Sequence, residues 1–273
     1  MFVVVEADKK SRSIQFNRRE KERKTYTIEI MKKAERESQF RAYFETCISN
    51  PDNLEMVGIG NPYAKILIVG QESAEMGIRR NIEDVSACLN KGDFHHLYYQ
   101  PRFYDNRIGK NGKRILNRTW SAYQKLIDYV RPEEIRCKDP EPTETDFCMD
   151  AFTTELNNTV SPRHAPDWKP RIETFKGSDF IKGFPVVVLA CCRYINEDQI
   201  GDTFDVTKDF SSGRHTNQYS RSMWFDVYHS ADGKRLVIHT RQLSQYSDEL
   251  LEGMADVIKG HFEKRGEEYR GTG

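Results

Sequence analysis

Short aliphatic runs that do not alternate with polar residues constrain this chain more than any other feature. The clearest are Ala64-Lys65-Ile66-Leu67-Ile68-Val69 and Phe184-Pro185-Val186-Val187-Val188-Leu189-Ala190-Cys191. A strand that is apolar on both sides must be covered on both sides, which places it inside a parallel sheet flanked by helices. The first run passes directly into Gly70-Gln71-Glu72-Ser73. Polar residues at the carboxyl end of such a strand lie where open α/β sheets bind their ligands.

The rest of the chain fits that frame. A further strand is predicted over Phe147–Thr154, ending in the polar segment Glu155-Leu156-Asn157-Asn158-Thr159. Met223–His229 and Arg235–His239, joined through Asp232-Gly233, read as a hairpin. Helices are predicted from about Thr27 to Ile48, from Asn117 to Tyr129, near Trp168–Ile181 as a crossover, and from Ser247 to Lys264. Residues 90–120 read as a long irregular aromatic loop. The predicted fold is therefore a three-layer α/β/α domain with a short, mainly parallel central sheet. An N-terminal helical extension covers 1–50, the α/β domain covers 51–273, and a β-hairpin and helix close the chain.

Composition narrows the function classes. Lys+Arg and Asp+Glu both total 42, so no global field draws the protein to nucleic acid, and any DNA partner must be met by a local patch. The basic run from Lys9 to Lys24 is interrupted by Glu20 and Glu22 and reads first as a solvated surface. The six cysteines form no C-x-x-C pair, which removes the usual spacing for structural zinc or an iron–sulfur cluster. His95-His96 reads as a loop pair rather than a metal site. No metal or cofactor is expected. The absence of a signal-peptide core or a membrane-length apolar stretch predicts a cytoplasmic protein with no membrane partner, taken as a monomer.

Polar residues converge from separate strand ends: Gln71 and Glu72, then Glu155–Asn158, then His239–Ser244. Ile66-Leu67-Ile68-Val69-Gly70-Gln71-Glu72 resembles the first motif of the uracil-DNA glycosylases, a buried strand ending in Gly-Gln-Asp-Pro-Tyr. Val237-Ile238-His239-Thr240-Arg241-Gln242-Leu243-Ser244 is similar to their last motif, a strand followed by His-Pro-Ser-Pro-Leu-Ser. The order of motifs agrees over roughly residues 60 to 262. Glu72 stands in place of the family's aspartate, and Thr240 and Gln242 in place of its prolines.

The resemblance implies an enzyme that extrudes a base and hydrolyses its N-glycosidic bond without a metal. His239 would donate a hydrogen bond to the departing base anion, and Glu72 would hold the water. Asn157 would read the pyrimidine edge, with Glu155 and Asn158 competing for that position. Gln71 would close the pocket, Phe94 or Tyr98 would stack on the base, and Leu243 would fill the vacated space. Arg241 and Ser244 would touch phosphates. Two other readings stand beside this one. One is a non-catalytic nucleic-acid or nucleotide-binding module on the same fold, and the other is a hydrolase of free nucleosides. Taken singly, Glu72 also reads as a helix-capping acid and His239 as a core histidine.

Overall fold

The computed structural model describes residues 28–72, 77–98, 104–108, 114–135, 146–157, 168–211, 215–217, 220–267 and 269. The basic run from Lys9 to Lys24, Ser73 and Asn158 lie outside the described residues, as do the side chains of Glu72 and Tyr98.

The chain opens with α1 (28–48). There follow β1 (Ile59–Gly60), β2 (Ile66–Glu72), α2 (Ile78–Lys91), α3 (His95–Tyr98), β3 (Tyr104–Ile108), β4 (Arg114–Leu116) and α4 (Arg118–Val130). Next come α5 (Phe147–Asp150), β5 (Ala151–Asn157), α6 (Lys169–Gly177), α7 (Asp179–Lys182), β6 (Val186–Leu189) and α8 (Glu197–Phe204). The chain ends with β7 (Thr207–Lys208), β8 (His215–Asn217), β9 (Ser220–His229), β10 (Leu236–Thr240) and α9 (Asp248–Lys264).

The main sheet runs β1-β5-β2-β6-β10-β9-β7, with β8 paired to β9. Its centre, β5-β2-β6-β10, is parallel throughout, and β9 turns back antiparallel along β10. From β2 the chain crosses to β5 on one side, then returns past β2 to β6 on the other. The direction of winding therefore switches between β2 and β6, where ligand crevices form in sheets of this kind.

Successive residues of the central strands face opposite layers. Leu67, Val69, Val187, Leu189 and Val237 pack under α1, α2, α6 and α8, against Phe40, Val85, Phe175 and Phe204. Ile66, Ile68, Val186, Val188 and Ile238 pack on the other face, against Leu126 and Ile127 of α4 and Leu251, Met254 and Ile258 of α9. All of these side chains are buried, each contributing roughly 1.5–3 kcal/mol of transfer free energy. The three-layer α/β/α arrangement follows. Among the described residues no helix is long and apolar enough to cross a membrane.

The starts of α4 and α9 match their sequence signals. Asn117 accepts a hydrogen bond from Thr119 N at the start of α4, and Ser247 accepts one from Leu250 N at the start of α9. Helix α8 was not anticipated, although Asn196 and Gln199 form a capping box at its start. The strand predicted over 147–154 begins only at Ala151, because Phe147–Asp150 forms the helical turn α5. Polar bonds fix that turn. Gln124 Oε1 accepts from Asp146 N and Phe147 N, and Arg131 binds the Asp146 and Asp150 carboxylates at 2.7 Å and 2.6 Å. The aromatic loop predicted over 90–120 contains α3 and a separate two-stranded ribbon, β3-β4. Helix α1 brings Phe40, Tyr43, Phe44 and Cys47 into the core, so residue 50 marks no break in packing.

Candidate active-site crevice

The four parallel strands end at different heights. Val69, Leu189 and His239 share one level across β2, β6 and β10. Beyond it β2 continues through Gly70, Gln71 and Glu72, and β5 keeps pace through Glu155 to Asn157. β6 stops at Leu189, and its chain turns away through Ala190, Cys191 and the single 3₁₀ turn Cys192–Tyr194. The result is a notch above β6 at the switch point. β2 and β5 form one wall, β10 the other, and 190–192 the floor. With strands spaced ~4.8 Å apart, β2 and β10 stand ~10 Å apart across it.

On the β10 wall, His239 is 8% exposed and its Nε2 lies 2.7 Å from the Cys192 carbonyl oxygen. A carbonyl only accepts, so Nε2 carries the proton in this arrangement. The Trp224 ring meets the imidazole edge-on at 5.2 Å. Trp224 is held from behind, because its carbonyl accepts from the fully buried Thr240 hydroxyl at 2.6 Å. Cys192 itself sits at φ 53, a left-handed conformation that disfavours a residue with a side chain. The carbonyl that meets His239 thus belongs to a strained residue on the floor of the notch.

On the opposite wall stands Glu155. It is buried, and its carboxylate lies over Gly70 so closely that a Cβ there would stand 2.2 Å from Oε2. Glycine at position 70 leaves room for that carboxylate. Its influence reaches both neighbours. Burial first, then the Glu155 charge, pushes the Tyr123 hydroxyl well above the ordinary tyrosine range. Burial, then Cys192 and Glu155, raises the Cys191 thiol and keeps it protonated. Behind Glu155, fully buried Arg171 donates to its main-chain oxygen at 3.2 Å, to Thr154 Oγ1 at 2.8 Å and to Glu55 Oε2 at 2.7 Å. This clamp fixes the end of β5.

The structure brings some of the anticipated residues together and separates others. Gln71, Glu72 and Asn157 stand by their main-chain positions at the ends of β2 and β5 on one side of the notch, and His239 stands near the end of β10 on the other; Asn157 is 3% exposed and pairs in register with Glu72. Arg241 and Ser244 follow β10 on the same rim, both half-buried, and Arg241 donates to Gln245 Oε1 at 2.9 Å. Leu243 does not project as a wedge. It is 0% exposed, packed in the core between the sheet and helices α4 and α9. Phe94 is not at the notch. It packs edge-on against Tyr63, just before β2, and Phe40 of α1, at the amino end of the parallel strands. Glu155 enters from sequence only as a competitor of Asn157 for reading the base, and Trp224 and the Cys192 carbonyl carry no sequence signal, because their placement depends on strand register and on a floor turn that no local pattern encodes.

Among the described residues, no group of three or more His, Cys, Asp or Glu side chains could hold a metal ion. No protein-family model, no curated protein and no solved structure matches the chain.

Proposed function

We propose that the notch above β6 hydrolyses an N-glycosidic bond in a nucleobase-containing substrate, with a uracil-type pyrimidine in DNA as the first candidate. One observation carries the reading. The two segments that resemble glycosylase motifs end β2 and β10, the strands on either side of the short β6, which supports reading the switch point between them as the site. The chemistry suits these groups. Water attacks C1′ as the C1′–N bond breaks, the bonding electrons leave with the base, and a carboxylate takes the water proton. The Nε2–H of His239, now given to Cys192 O, would be given instead to the carbonyl oxygen of the departing base as negative charge develops there. Glu72 takes the water-holding role from the resemblance; Glu155 is the second carboxylate on that wall.

A free nucleoside is the second reading, and the buried Leu243 favours it, since such a substrate needs no wedge. The test is base release from single- and double-stranded oligonucleotides carrying one uracil and from free deoxyuridine. His239→Gln should lower the active rate at least tenfold, and the larger loss between Glu72→Gln and Glu155→Gln identifies the working carboxylate. A folded protein inactive on all three substrates, or rates unchanged in His239→Gln, would overturn the hydrolase reading in favour of a binding module.

A further inference from the structure

At the opposite end of the sheet, where the parallel strands begin, lies a cavity of about 790 Å³. That volume is within the range of small-molecule sites. Its wall carries Lys32, Lys33 and Arg36 of α1, Tyr63 and Lys65 on the approach to β2, and His95 at the start of α3. Among the described residues no aspartate or glutamate lines it. In a chain whose formal charge sums to zero, that is a strong local bias.

The cations are not equivalent. Lys65 is neutralised by Glu267 at 2.8 Å. Lys32, Lys33 and Arg36 make no ion pair among the described residues. Arg36 is held as a fixture. Its guanidinium lies 4.1 Å from the Phe180 ring and 4.2 Å from the Phe184 ring, and it donates to Pro62 O at 2.9 Å and Phe180 O at 2.6 Å. Its Nη2 is buried without a hydrogen-bond partner. Burial lowers its pKa to about 9, the response of a cation that has lost water without gaining a counter-charge. Lys33 lies 5.2 Å above the Tyr63 ring, and the Tyr63 hydroxyl is anchored to Glu37. A half-buried guanidinium, two exposed lysines about one helical turn away and an aromatic wall thus surround one space. Carbonyl and ring contacts stabilise Arg36 in part, but an anion in the cavity would supply the charge they lack.

We infer that this cavity is a binding site for a small phosphate-bearing anion, separate from the crevice above β6. Lys32 and Lys33 make the direct charged contacts, as lysines do with phosphate, and Arg36 supplies the fixed field behind them. The site is independent of the proposed hydrolysis, which uses the other end of the strands.

The test is calorimetric titration of the full chain with pyrophosphate and, separately, with inorganic phosphate, at 0.15 M salt. Saturable one-to-one binding is expected, weakened about tenfold or more in the Lys32→Ala/Lys33→Ala double variant and unchanged in His239→Gln. Both lysines are exposed, so the double variant should fold as wild type does. Arg36→Lys gives a second measure, because it keeps the charge and loses the planar stacking; it should weaken binding less than the double lysine variant. No saturation by either anion, or equal affinity in wild type and the double variant, would overturn the inference. So would binding confined to single-stranded oligonucleotide with the same lysine dependence, which would make the cavity part of a nucleic-acid surface.

Discussion

Adding one methyl group at Gly70 tests the crevice from both sides, since the effect on stability and the effect on activity share one cause. A Cβ at position 70 would stand 2.2 Å from Glu155 Oε2, about 1.2 Å short of the 3.4 Å at which ordinary contact begins, and 2.8 Å from the carboxyl carbon. Gly70 has ordinary strand conformation, so alanine brings no backbone strain; its cost is overpacking against the carboxylate. The obstructing atoms are the far end of the Glu155 side chain, so the cost measures how firmly that buried carboxylate is held: about 1–3 kcal/mol if it cannot swing clear, roughly 2–12 °C in melting temperature for a chain of this size. If the carboxylate yields by about 1 Å, activity at the notch should fall about 100-fold, because misplacement on that scale is felt in full by a positioned group. The decisive assay is a double-mutant cycle read by urea denaturation. In the Glu155→Ala background the obstructing group is gone, so Gly70→Ala should cost almost nothing, a coupling of about 1–3 kcal/mol. An equal cost in both backgrounds would show that Gly70 is there for another reason and would remove Glu155 from the wall of the notch.

Leu243→Ala should lower the unfolding free energy by about 2–5 kcal/mol, as expected for a fully buried leucine. A loss of activity with unchanged stability would restore the wedge role. His229 and His261 face one cavity between β9 and α9, and burial lowers the pKa of both. Asp209 opposes the shift at His229 while Lys264 adds to it; at His261, Arg265 and His229 add to it while the Lys234 main chain and Glu267 oppose it. Their folded values lie below the unfolded one near 6.5, so the unfolded chain binds more protons and stability declines as pH falls through that value. Urea midpoints should therefore be level from pH 7 to 8 and drop toward pH 5.5, with a smaller drop in His229→Gln/His261→Gln. An identical drop in the double variant would assign the acid sensitivity to other groups.

The frame of the molecule was legible because its cause is local. Ile66–Val69 and Val186–Leu189 have no polar face to give to water, so they had to become the doubly covered strands β2 and β6. Asn117 and Ser247 announced helix starts through short-range hydrogen bonds that the sequence contains outright. The errors lie where distant residues decide. Phe147–Asp150 has strand-like composition but folds as a helical turn, since Gln124 and Arg131, from a helix some twenty residues away, take its polar groups. Leu243 matched a motif position, yet the 3₁₀ turn after β10 carries it into the core.

The same distinction explains the site. That polar residues would gather at the carboxyl ends of the strands follows from topology, and Gln71, Asn157 and His239 do so. That the Glu155 carboxylate lies over Gly70 does not follow, because strand ends alone do not say which residues of neighbouring strands stand side by side. Register decides. Gly70 pairs with Glu155, and the missing side chain at 70 opens the space that the Glu155 carboxylate fills. The glycine in Gly70-Gln71-Glu72 therefore carries as much information about the wall as the acid two residues on, but only once β5 is laid beside β2. Cys192 makes the complementary case on the floor. A left-handed cysteine next to a buried histidine has no signature in the sequence, and it arises because β6 ends short of its neighbours and the chain must turn sharply beneath His239. The left-handed backbone of Cys192 and the carbonyl that meets His239 Nε2 belong to the same residue, so a change in that turn must move the hydrogen-bond acceptor of the histidine.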